Sequence, residues 1–379
     1  MGKNKNKKKK SKSKKSNNNF ITIVAGIVLG FVLVFAIVAV DLFSKMGFIS
    51  IGENHTDPSG FVEVTEAGEE NIVIETLEEL RGQTDLSSVL KNWAVNTNDN
   101  NLMRDKNVIN ILLIGLDASE QNSDAIIIAS LNKKTEKIHL TSVFRDSYTY
   151  ISTSDGDKYA KINACYANGG ADKLIETIQN NFKIKIDYYV SVNFDSFSTI
   201  VDALGGIRLD VQPYEARAVG RNCPSGEDVL LNGEQALAFC RIRYCDADAD
   251  VSRTRRQRQF INALIDETRD ISISQISPLL NTVIRYIKTD CSVANIISLG
   301  TQALTDKWYN FEIVSSAAPS ENNRMDYKGN AWVWIVDYPS AAHELQMEIY
   351  GSSNIELKED RVSAIDIMRN SLNTGNANP

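Results

Sequence analysis

The chain has 379 residues with 41 basic and 48 acidic side chains, which gives a formal net charge of −7. Its five cysteines are too few for a disulfide-dense framework, and neither they nor the three histidines have the spacing of a zinc site. Nine lysines lie in the first 19 residues, so the remainder carries 32 basic against 48 acidic residues. This balance argues against general nucleic-acid binding.

The N-terminal segment predicts a membrane anchor. Residues 1–19 form a basic tail, and Phe20 to Val40 is a run of 21 residues without a charge. At about 1.5 Å per residue such a helix spans roughly 31 Å, the thickness of a bilayer's hydrocarbon core. The next residues make a poor cleavage site, so a retained transmembrane helix is predicted over residues 20–43.

The position of the lysines predicts the orientation of this anchor. Many lysines precede the span and few follow it, which places the tail in the cytoplasm and the large C-terminal part outside the cell. The tail could be a nucleic-acid arm, but beside a membrane span it is expected to set topology and contact anionic lipid. The chain is therefore predicted to be a single-pass cell-membrane protein.

In the first half of the predicted external part, the composition changes from polar and acidic to apolar at Val108. Residues 44–106 are polar and acidic and read as a stalk or accessory region with one helical stretch from Thr76 to Val95. The run VINILLIG then has the apolar character of a buried strand and stops at Gly115. The following predicted elements are strands at Ala125–Leu131, Lys137–Val143, Tyr188–Asn193 and Ile207–Val211 and helices at Tyr159–Ala167, Ala171–Phe182 and Phe194–Leu204.

The second half adds mostly helices. Those predicted are Thr254–Arg269, Ile276–Ile287, Val293–Leu304 and Ala341–Tyr350, with edge strands at Tyr309–Ser315 and Ala331–Val336. Because strands and helices alternate, the predicted class is α/β, with a central mixed β-sheet flanked by helices over residues 107–350. Residues 351–379 read as a partly disordered tail that ends in SLNTGNANP.

Positive charge is concentrated at Arg241-Ile242-Arg243 and again from Arg253 to Gln257. Arginine pairs bidentately with phosphate and stays charged at any relevant pH. In an extended segment Arg241 and Arg243 would share a face. If a helix begins near Ser252, Arg253 and Gln257 would also share a face. The array therefore suits phosphate or pyrophosphate, whereas Arg255 and Arg258 read as a solvated helix face.

Carboxylates at two neighbouring strand ends predict a magnesium site. Asp117 follows the first strand and Asp124 begins the second, where open α/β sheets bind ligands. The alternative is that both are caps or turn formers. Arg145 follows the third strand; alone it could form a structural salt bridge, and together with the other arginines it adds a fourth cation. Asp250, three residues before Arg253, is either a helix N-cap or a general base.

These motifs together resemble the LytR-CpsA-Psr family of membrane-anchored cell-wall glycopolymer transferases. The resemblance runs from about Val108 to Ile265 and rests on several motifs in the same order and spacing. They are NILLIGLD, SDAIIIASLNKKTEKIHLTSVFRD, KINACYANGG, YYVSVNFDSFSTIVDALGGIRLDV, LNGEQALAFCRIR and the D-x-x-R-T-x-R-Q run from Asp250 to Gln257.

The resemblance implies a site that holds a polyprenyl pyrophosphate with its tail in an apolar tunnel. It implies that Asp117 and Asp124 bind Mg²⁺ and that Asp250 activates the acceptor hydroxyl. The pyrophosphate clamp would consist of Arg145, Arg241, Arg243 and Arg253, with Gln257 beside them. Plausible tunnel walls are the apolar faces of Leu174–Phe182 and Phe194–Leu204, which are equally well explained as ordinary core.

The expected activity is Mg²⁺-dependent transfer of a glycopolymer phosphate, such as teichoic acid or capsule, from the lipid carrier to a peptidoglycan hydroxyl. Four departures from the family pattern bear on it, of which one is a short loop from Asp117 to Asp124. Asn122 stands in place of a usual arginine, Phe144 in place of a proline and Ala125 in place of a threonine. The loss of a cation leaves open a protein that binds the lipid pyrophosphate without turnover, or one that hydrolyses it. A transcriptional regulator is a further alternative.

Overall fold

The computed structural model describes residues 84–98, 100–117, 119–154, 156–220, 222–242, 249–268, 284–328 and 332–375. The predicted basic tail, the membrane span and residues 44–83 of the stalk lie outside these ranges. Among the helices of the described part, none combines the length and apolarity that a membrane crossing requires.

A six-stranded mixed sheet forms the centre of the fold, as predicted. Its strands are β1 (Val108–Leu116), β2 (Ser123–Asn132), β3 (Lys137–Val143), β6 (Tyr188–Asn193), β9 (Lys288–Thr289) and β10 (Glu312–Ala318). Their order across the sheet is β10-β3-β2-β1-β6-β9. Strands β1 and β6 pair in parallel, as do β3 and β10, whereas β2 runs antiparallel to both β1 and β3.

The central strands are apolar on both faces because each face is covered. Along β1, Ile111 and Leu113 belong to one apolar cluster, and Leu112 and Ile114 belong to a second one. Side chains of a strand point alternately to opposite faces, so the continuous run VINILLIG supplies both clusters. The predicted strand over this run is therefore confirmed, together with its burial.

Nine helices are described in these parts of the chain. Their bounds are α1 Thr84–Val95, α2 Gly170–Phe182, α3 Phe194–Ala203, α4 Pro213–Val219, α5 Gly233–Arg241, α6 Ala249–Thr268, α7 Val293–Thr305, α8 Tyr338–Tyr350 and α9 Ala364–Gly375. Helices α1, α2, α8 and α9 contribute to the cluster with Leu112. Helices α3 to α7 contribute to the cluster with Ile111. Each sheet face is thus covered by its own set of helices.

Three two-stranded sheets surround the central one. They are β4 (Tyr148–Thr153) with β5 (Gly156–Lys161), β7 (Ile207–Val211) with β8 (Gly226–Leu231), and β11 (Arg324–Lys328) with β12 (Trp332–Val336). The helix predicted over Tyr159–Ala167 is wrong in its first part, because residues 159–161 belong to β5 and a 3-10 helix, Ile162–Asn168, follows. The strand predicted at Ala331–Val336 exists as β12, but it pairs with β11 and not with the central sheet.

Both ends of the described chain pack onto the domain. Leu86 and Leu90 of α1 and Met368 of α9 are buried in one cluster with the central strands. The predicted disorder of SLNTGNANP is wrong for its first residues, since α9 continues to Gly375. The predicted domain boundaries stay predictions. The structure adds that α1, within the predicted stalk, packs against the same core as β1.

Candidate active site

The site lies at one edge of the central sheet, where several strand ends meet. Since β1, β3 and β6 run in the same direction, their carboxyl ends share this edge with the beginning of the antiparallel β2. The edge therefore collects Asp117 after β1, Asp124 at the start of β2, Arg145 after β3 and Asn193 at the end of β6. Ligands of open α/β sheets bind at such an edge.

An apolar cavity of about 190 Å³ extends from this edge between the sheet and α3, α5 and α6. Its wall includes Phe194, Phe197, Ile200 and Val201 of α3, which confirms that predicted wall. The Leu174–Phe182 face is ordinary core, the alternative given for it, because α2 covers the opposite face of the sheet. The remaining wall is built from Leu113, Ile114, Gly115, Ala125, Ile127, Val190, Val192, Leu237, Cys240, Phe260, Ile261, Leu264 and Ile287.

The predicted cations Arg145, Arg241 and Arg253 line the same cavity, together with Asp124 and Gln257. The guanidinium of Arg145 forms an ion pair with the carboxylate of Asp124. The Gln257 side-chain amide donates to the Asp124 carbonyl oxygen over 3.5 Å. Four segments that are distant in sequence therefore bring positive charge and one carboxylate to an otherwise apolar cavity, an arrangement suited to an amphiphile with an anionic head.

Two helices position the arginines of the predicted clamp. Arg241 is the last residue of α5, so the extended conformation predicted for it is wrong. Arg253 and Gln257 lie on α6 and both face the cavity, which confirms their predicted common face. The helix already includes Ala249, so the predicted start near Ser252 is wrong.

The structure tests the remaining predicted arginines and Asp250 only in part. Arg243 lies outside the described residues, and Asp250 is described as part of α6 without its side chain. Asp250 lies in the first turn of α6, and both the N-cap interpretation and its role as a base stay predictions. On the same helix Arg255 is exposed, as predicted, whereas Arg258 is half-buried.

A buried carboxylate, which the sequence analysis missed, lies behind the cations. Asp146 is 1% exposed and pairs with Lys161 Nζ at 2.8 Å and with Arg145 Nε at 3.6 Å. Burial alone would raise the pKa of Asp146, but the charges of Arg145, Lys161 and Arg253 outweigh it and hold this pKa below its usual value. Asp146 therefore remains charged at neutral pH and holds Arg145 from behind.

Asp117 is held by its own loop. Its carboxylate accepts hydrogen bonds from the backbone N–H groups of Gln121 and Asn122 at 3.0 and 3.3 Å and from the Ser119 hydroxyl at 2.9 Å. The Asn122 side-chain amide donates to its other oxygen over 2.9 Å. The residue that stands in place of a family arginine thus closes the loop onto Asp117.

Asp117 and Asp124 carry donors of the kind that a divalent cation takes, although Asp124 is paired with Arg145 and Asp117 is hydrogen-bonded within its own loop. Asp117 and Asp124 present carboxylate oxygens at the same sheet edge, and oxygen ligands are those that Mg²⁺ prefers. No cluster of three or more acidic, histidine or cysteine side chains suited to a metal occurs among the described residues. A magnesium ion here would therefore take its other ligands from phosphate and water, as Mg²⁺ commonly does.

A second buried pair joins the helices that carry the arginines. Arg256, fully buried, donates from Nε to Glu215 Oε1 over 2.8 Å and from Nη1 to the carbonyl oxygen of Ile242 over 3.1 Å. Ile242 follows Arg241 directly, so this guanidinium ties the end of α5 to α6. No local pattern distinguishes Arg256 from its arginine neighbours, because its pairing partner lies 41 residues away.

Comparison with known proteins agrees with this geometry. The model of the LytR_cpsA_psr family matches residues 74–348, which include every residue of the cavity. The chain belongs to the LytR_cpsA_psr family. The resemblance found in the sequence motifs is therefore confirmed.

Relatives of this family member include transferases and a protein named as a regulator. The chain is 37% identical over 185 residues to the polyisoprenyl-teichoic acid–peptidoglycan teichoic acid transferase TagU of Halalkalibacterium halodurans, covering 48% of this chain and 60% of that protein. It is 34% identical over 215 residues to biofilm regulatory protein A of Streptococcus mutans, covering 51% and 52%. The chain thus spans less than two thirds of these relatives' own length.

Solved structures share the α/β domain. The structure described as TagT bound to LI-WTA superposes with a TM-score of 0.54 at 25% identity, covering 66% of this chain and 92% of that one. Protein gbs0355 from Streptococcus agalactiae superposes with a TM-score of 0.56 at 26% identity, covering 68% and 91%. The fold is that of the family.

Proposed function

We propose that this family member is a membrane-anchored phosphotransferase that moves a glycopolymer phosphate from a polyprenyl pyrophosphate carrier to a hydroxyl of peptidoglycan. The observation that carries the proposal is an apolar cavity whose wall includes Arg145, Arg241 and Arg253 at a sheet edge. A lipid pyrophosphate has the matching chemistry, since its tail is apolar and its head is anionic. The relative TagU is named a polyisoprenyl-teichoic acid–peptidoglycan teichoic acid transferase, which supports the same reaction.

The reaction exchanges one phosphorus–oxygen bond for another. The acceptor hydroxyl oxygen attacks the phosphorus next to the glycan, and the bond from this phosphorus to the bridging oxygen breaks. Polyprenyl phosphate leaves with that bond's electron pair. The proton of the hydroxyl passes to a base, for which Asp250 on α6 is the proposed residue.

The arginines stabilise the charge that develops in this exchange. Arg145 and Arg253 are 8% and 4% exposed, so their charges act where water screens them little. Asp146 keeps Arg145 in place from behind. Magnesium held by Asp117 and Asp124 would neutralise further charge on the pyrophosphate. Positioning and electrostatic stabilisation supply most of the catalysis of phosphoryl transfer.

A lipid-pyrophosphate-binding protein without turnover is the second candidate, and one observation favours it. Asn122 stands where the family pattern has a cationic residue, and its side-chain amide donates a hydrogen bond to Asp117. A site with one arginine fewer would bind the head group but stabilise the transition state less. Turnover separates the two candidates.

The test uses the full chain in lipid nanodiscs with a lipid-pyrophosphate-linked oligosaccharide, peptidoglycan oligomers and Mg²⁺. Mass spectrometry detects acceptor that carries glycan phosphate. We expect Arg253→Ala to lower the rate by about 100-fold or more. The matched control, Arg255→Ala, removes an exposed arginine from the same helix and is expected to change the rate less than about twofold.

Each outcome of this test assigns a function. Glycan phosphate on the acceptor that disappears with chelator supports the Mg²⁺-dependent transferase. Free glycan phosphate without labelled acceptor indicates hydrolysis by water. Carrier binding that depends on Arg253 without any product assigns the binding protein. Equal rates for Arg253→Ala and Arg255→Ala would show that the reaction does not take place at this cavity.

A further inference from the structure

Arg241 differs from the other cations of the cavity in how it is held. Arg145 and Arg253 are buried, whereas Arg241 is exposed at the end of α5. Its guanidinium carbon lies 4.4 Å from the centre of the Phe194 ring. A guanidinium at this distance from an aromatic ring is attracted by the negative electrostatic potential of the ring face. The ring of Phe194 thus supports the exposed cation at the cavity.

Phe194 combines two environments in one side chain. It is the first residue of α3 and directly follows the end of β6, at the sheet edge that carries the other site residues. Its side chain also forms part of the apolar cavity wall. One ring therefore contacts both the space proposed for the lipid tail and the cation proposed for the pyrophosphate.

The backbone that carries Phe194 is fixed by the residue before it. Asn193 caps α3, since its Oδ1 accepts the Ser196 N–H over 2.9 Å. Its Nδ2 donates to Glu120 Oε1 over 2.6 Å, and Glu120 Oε2 accepts from Lys288 Nζ over 2.6 Å. These contacts join the start of α3 to the loop after β1 and to β9. The backbone that precedes Phe194 is thus fixed to these two elements.

We propose that Phe194 is a positioning residue, which holds Arg241 over the entrance of the cavity so that its guanidinium contacts the pyrophosphate. This inference rests on the proposed function and deepens it, because it assigns the orientation of one phosphate ligand to an aromatic side chain. A leucine would preserve an apolar wall but offers no aromatic face. Tyrosine would preserve both.

The alternative role of Phe194 is that of an ordinary wall for the lipid tail. Phe197 provides the matched comparison, because it lines the same cavity and its ring packs against Phe260 with centroids 4.6 Å apart. If Phe194 only contacts the tail, Phe194→Leu and Phe197→Leu should have similar effects. If it positions Arg241, only Phe194→Leu should weaken the binding of a head group that has no tail.

The experiment measures binding of inorganic pyrophosphate, with Mg²⁺ present, to the full chain in nanodiscs by calorimetry. We expect Phe194→Leu to weaken binding by about five- to tenfold, while Phe194→Tyr stays within about twofold of the unsubstituted protein. Phe197→Leu is expected to leave pyrophosphate binding unchanged and to weaken the lipid-linked substrate. Thermal melting of each variant identifies any loss that comes from unfolding.

A double-mutant cycle with Arg241→Ala decides the mechanism. If Phe194 acts through Arg241, Phe194→Leu has no further effect once Arg241→Ala is present. Additive losses, or equal losses for Phe197→Leu, overturn the positioning role. If Arg241→Ala weakens pyrophosphate binding and Phe194→Leu does not, this inference alone fails. If Arg241→Ala itself has no effect, the phosphate site of the proposed function fails with it.

Discussion

The two faces of the central sheet carry equally apolar strands but differ in how closely their helices pack. On the face of α2, Leu174, Ile178 and Phe182 are all fully buried. On the face of α6, Phe260, Ile261 and Leu264 keep 6–9% exposure and line the cavity. Since side chains of one strand supply both faces, the strands do not decide where the cavity forms. The packing of the covering helices decides where the cavity forms.

The contacts that fasten the helices also differ between the faces. Helix α2 is fixed by dense apolar packing, such as the edge contact between Phe182 and Tyr338, whose centroids are 5.8 Å apart. Around the cavity, α4, α5 and α6 also share apolar contacts, and the buried pair of Glu215 and Arg256 joins them in addition. A directional ion pair can hold helices apart around a hollow, whereas apolar contact stabilises them only when the space is filled.

The largest expected effect tests that ion pair. Arg256→Ala leaves the Glu215 carboxylate buried without its partner and is expected to lower the free energy of unfolding by about 3–5 kcal/mol. Urea unfolding followed by circular dichroism measures it. Arg255→Ala, one position earlier and exposed, serves as the control and is expected to stay within about 0.5 kcal/mol. Similar values for the two variants would show that the cavity face does not depend on the pair.

A matched pair of leucines compares the two faces directly. Leu174→Ala on the filled face is expected to cost about 3–4 kcal/mol, because it leaves a new void among close-packed neighbours. Leu264→Ala is expected to cost about 1–2 kcal/mol, because this side chain already borders open space and has fewer contacts to lose. The same unfolding measurement applies. Equal costs would mean that the cavity is filled in solution.

An effect that depends on pH is expected at Asp146, at the edge that both faces share. Its pKa is lowered in the folded protein, so its stabilisation is present above the unfolded pKa of about 3.9 and is lost as pH falls through the lower, folded pKa. Asp146→Asn is expected to cost about 1–3 kcal/mol at pH 7. The difference from the unsubstituted protein should shrink below about pH 4.

Unfolding curves between pH 3 and pH 7 measure this dependence. Asp157→Asn is the control, because Asp157 pairs with Lys91 at the surface, where water screens the charges. It should change both stability and its pH dependence much less. A gap between Asp146→Asn and the unsubstituted protein that is constant with pH would mean that the cations around Asp146 do not hold its charge.

The sheet and the cavity cations were largely predictable from local patterns. Strands β1 to β3 are apolar runs that end in glycine or turn residues, and the spacing of Arg253 and Gln257 is that of one helix face. The β4–β5 hairpin was missed because YAKINACYA has no strict alternation, and pairing with Tyr148–Thr153 decides its structure. Local composition does not contain that long-range contact.

The sheet face that each helix covers could not be predicted from the sequence. The pattern of an amphipathic helix predicts an apolar side but not the surface that this side covers, and α2 and α3 both have this pattern. Of these two helices, α3 borders the cavity and α2 does not. Asp146, Glu215 and Arg256 were missed for a related reason. A buried charge can be predicted only when its ion-pair partner is known. Except for Arg145 beside Asp146, the partners here are distant in sequence and meet only in the folded protein.

Parallel pairing of β3 with β10 has a consequence for how the protein is made. Thr141 and Ser316 share a hydrogen bond of 3.0 Å across these strands although they lie 175 residues apart in the chain. At roughly 5–20 residues per second, a ribosome completes β3 about 10–35 s before its outer neighbour exists. During that interval the nascent chain presents an apolar, unpaired strand edge, which another chain can extend. A chain that ended before Glu312 would keep this edge unpaired, and an unpaired apolar edge favours aggregation.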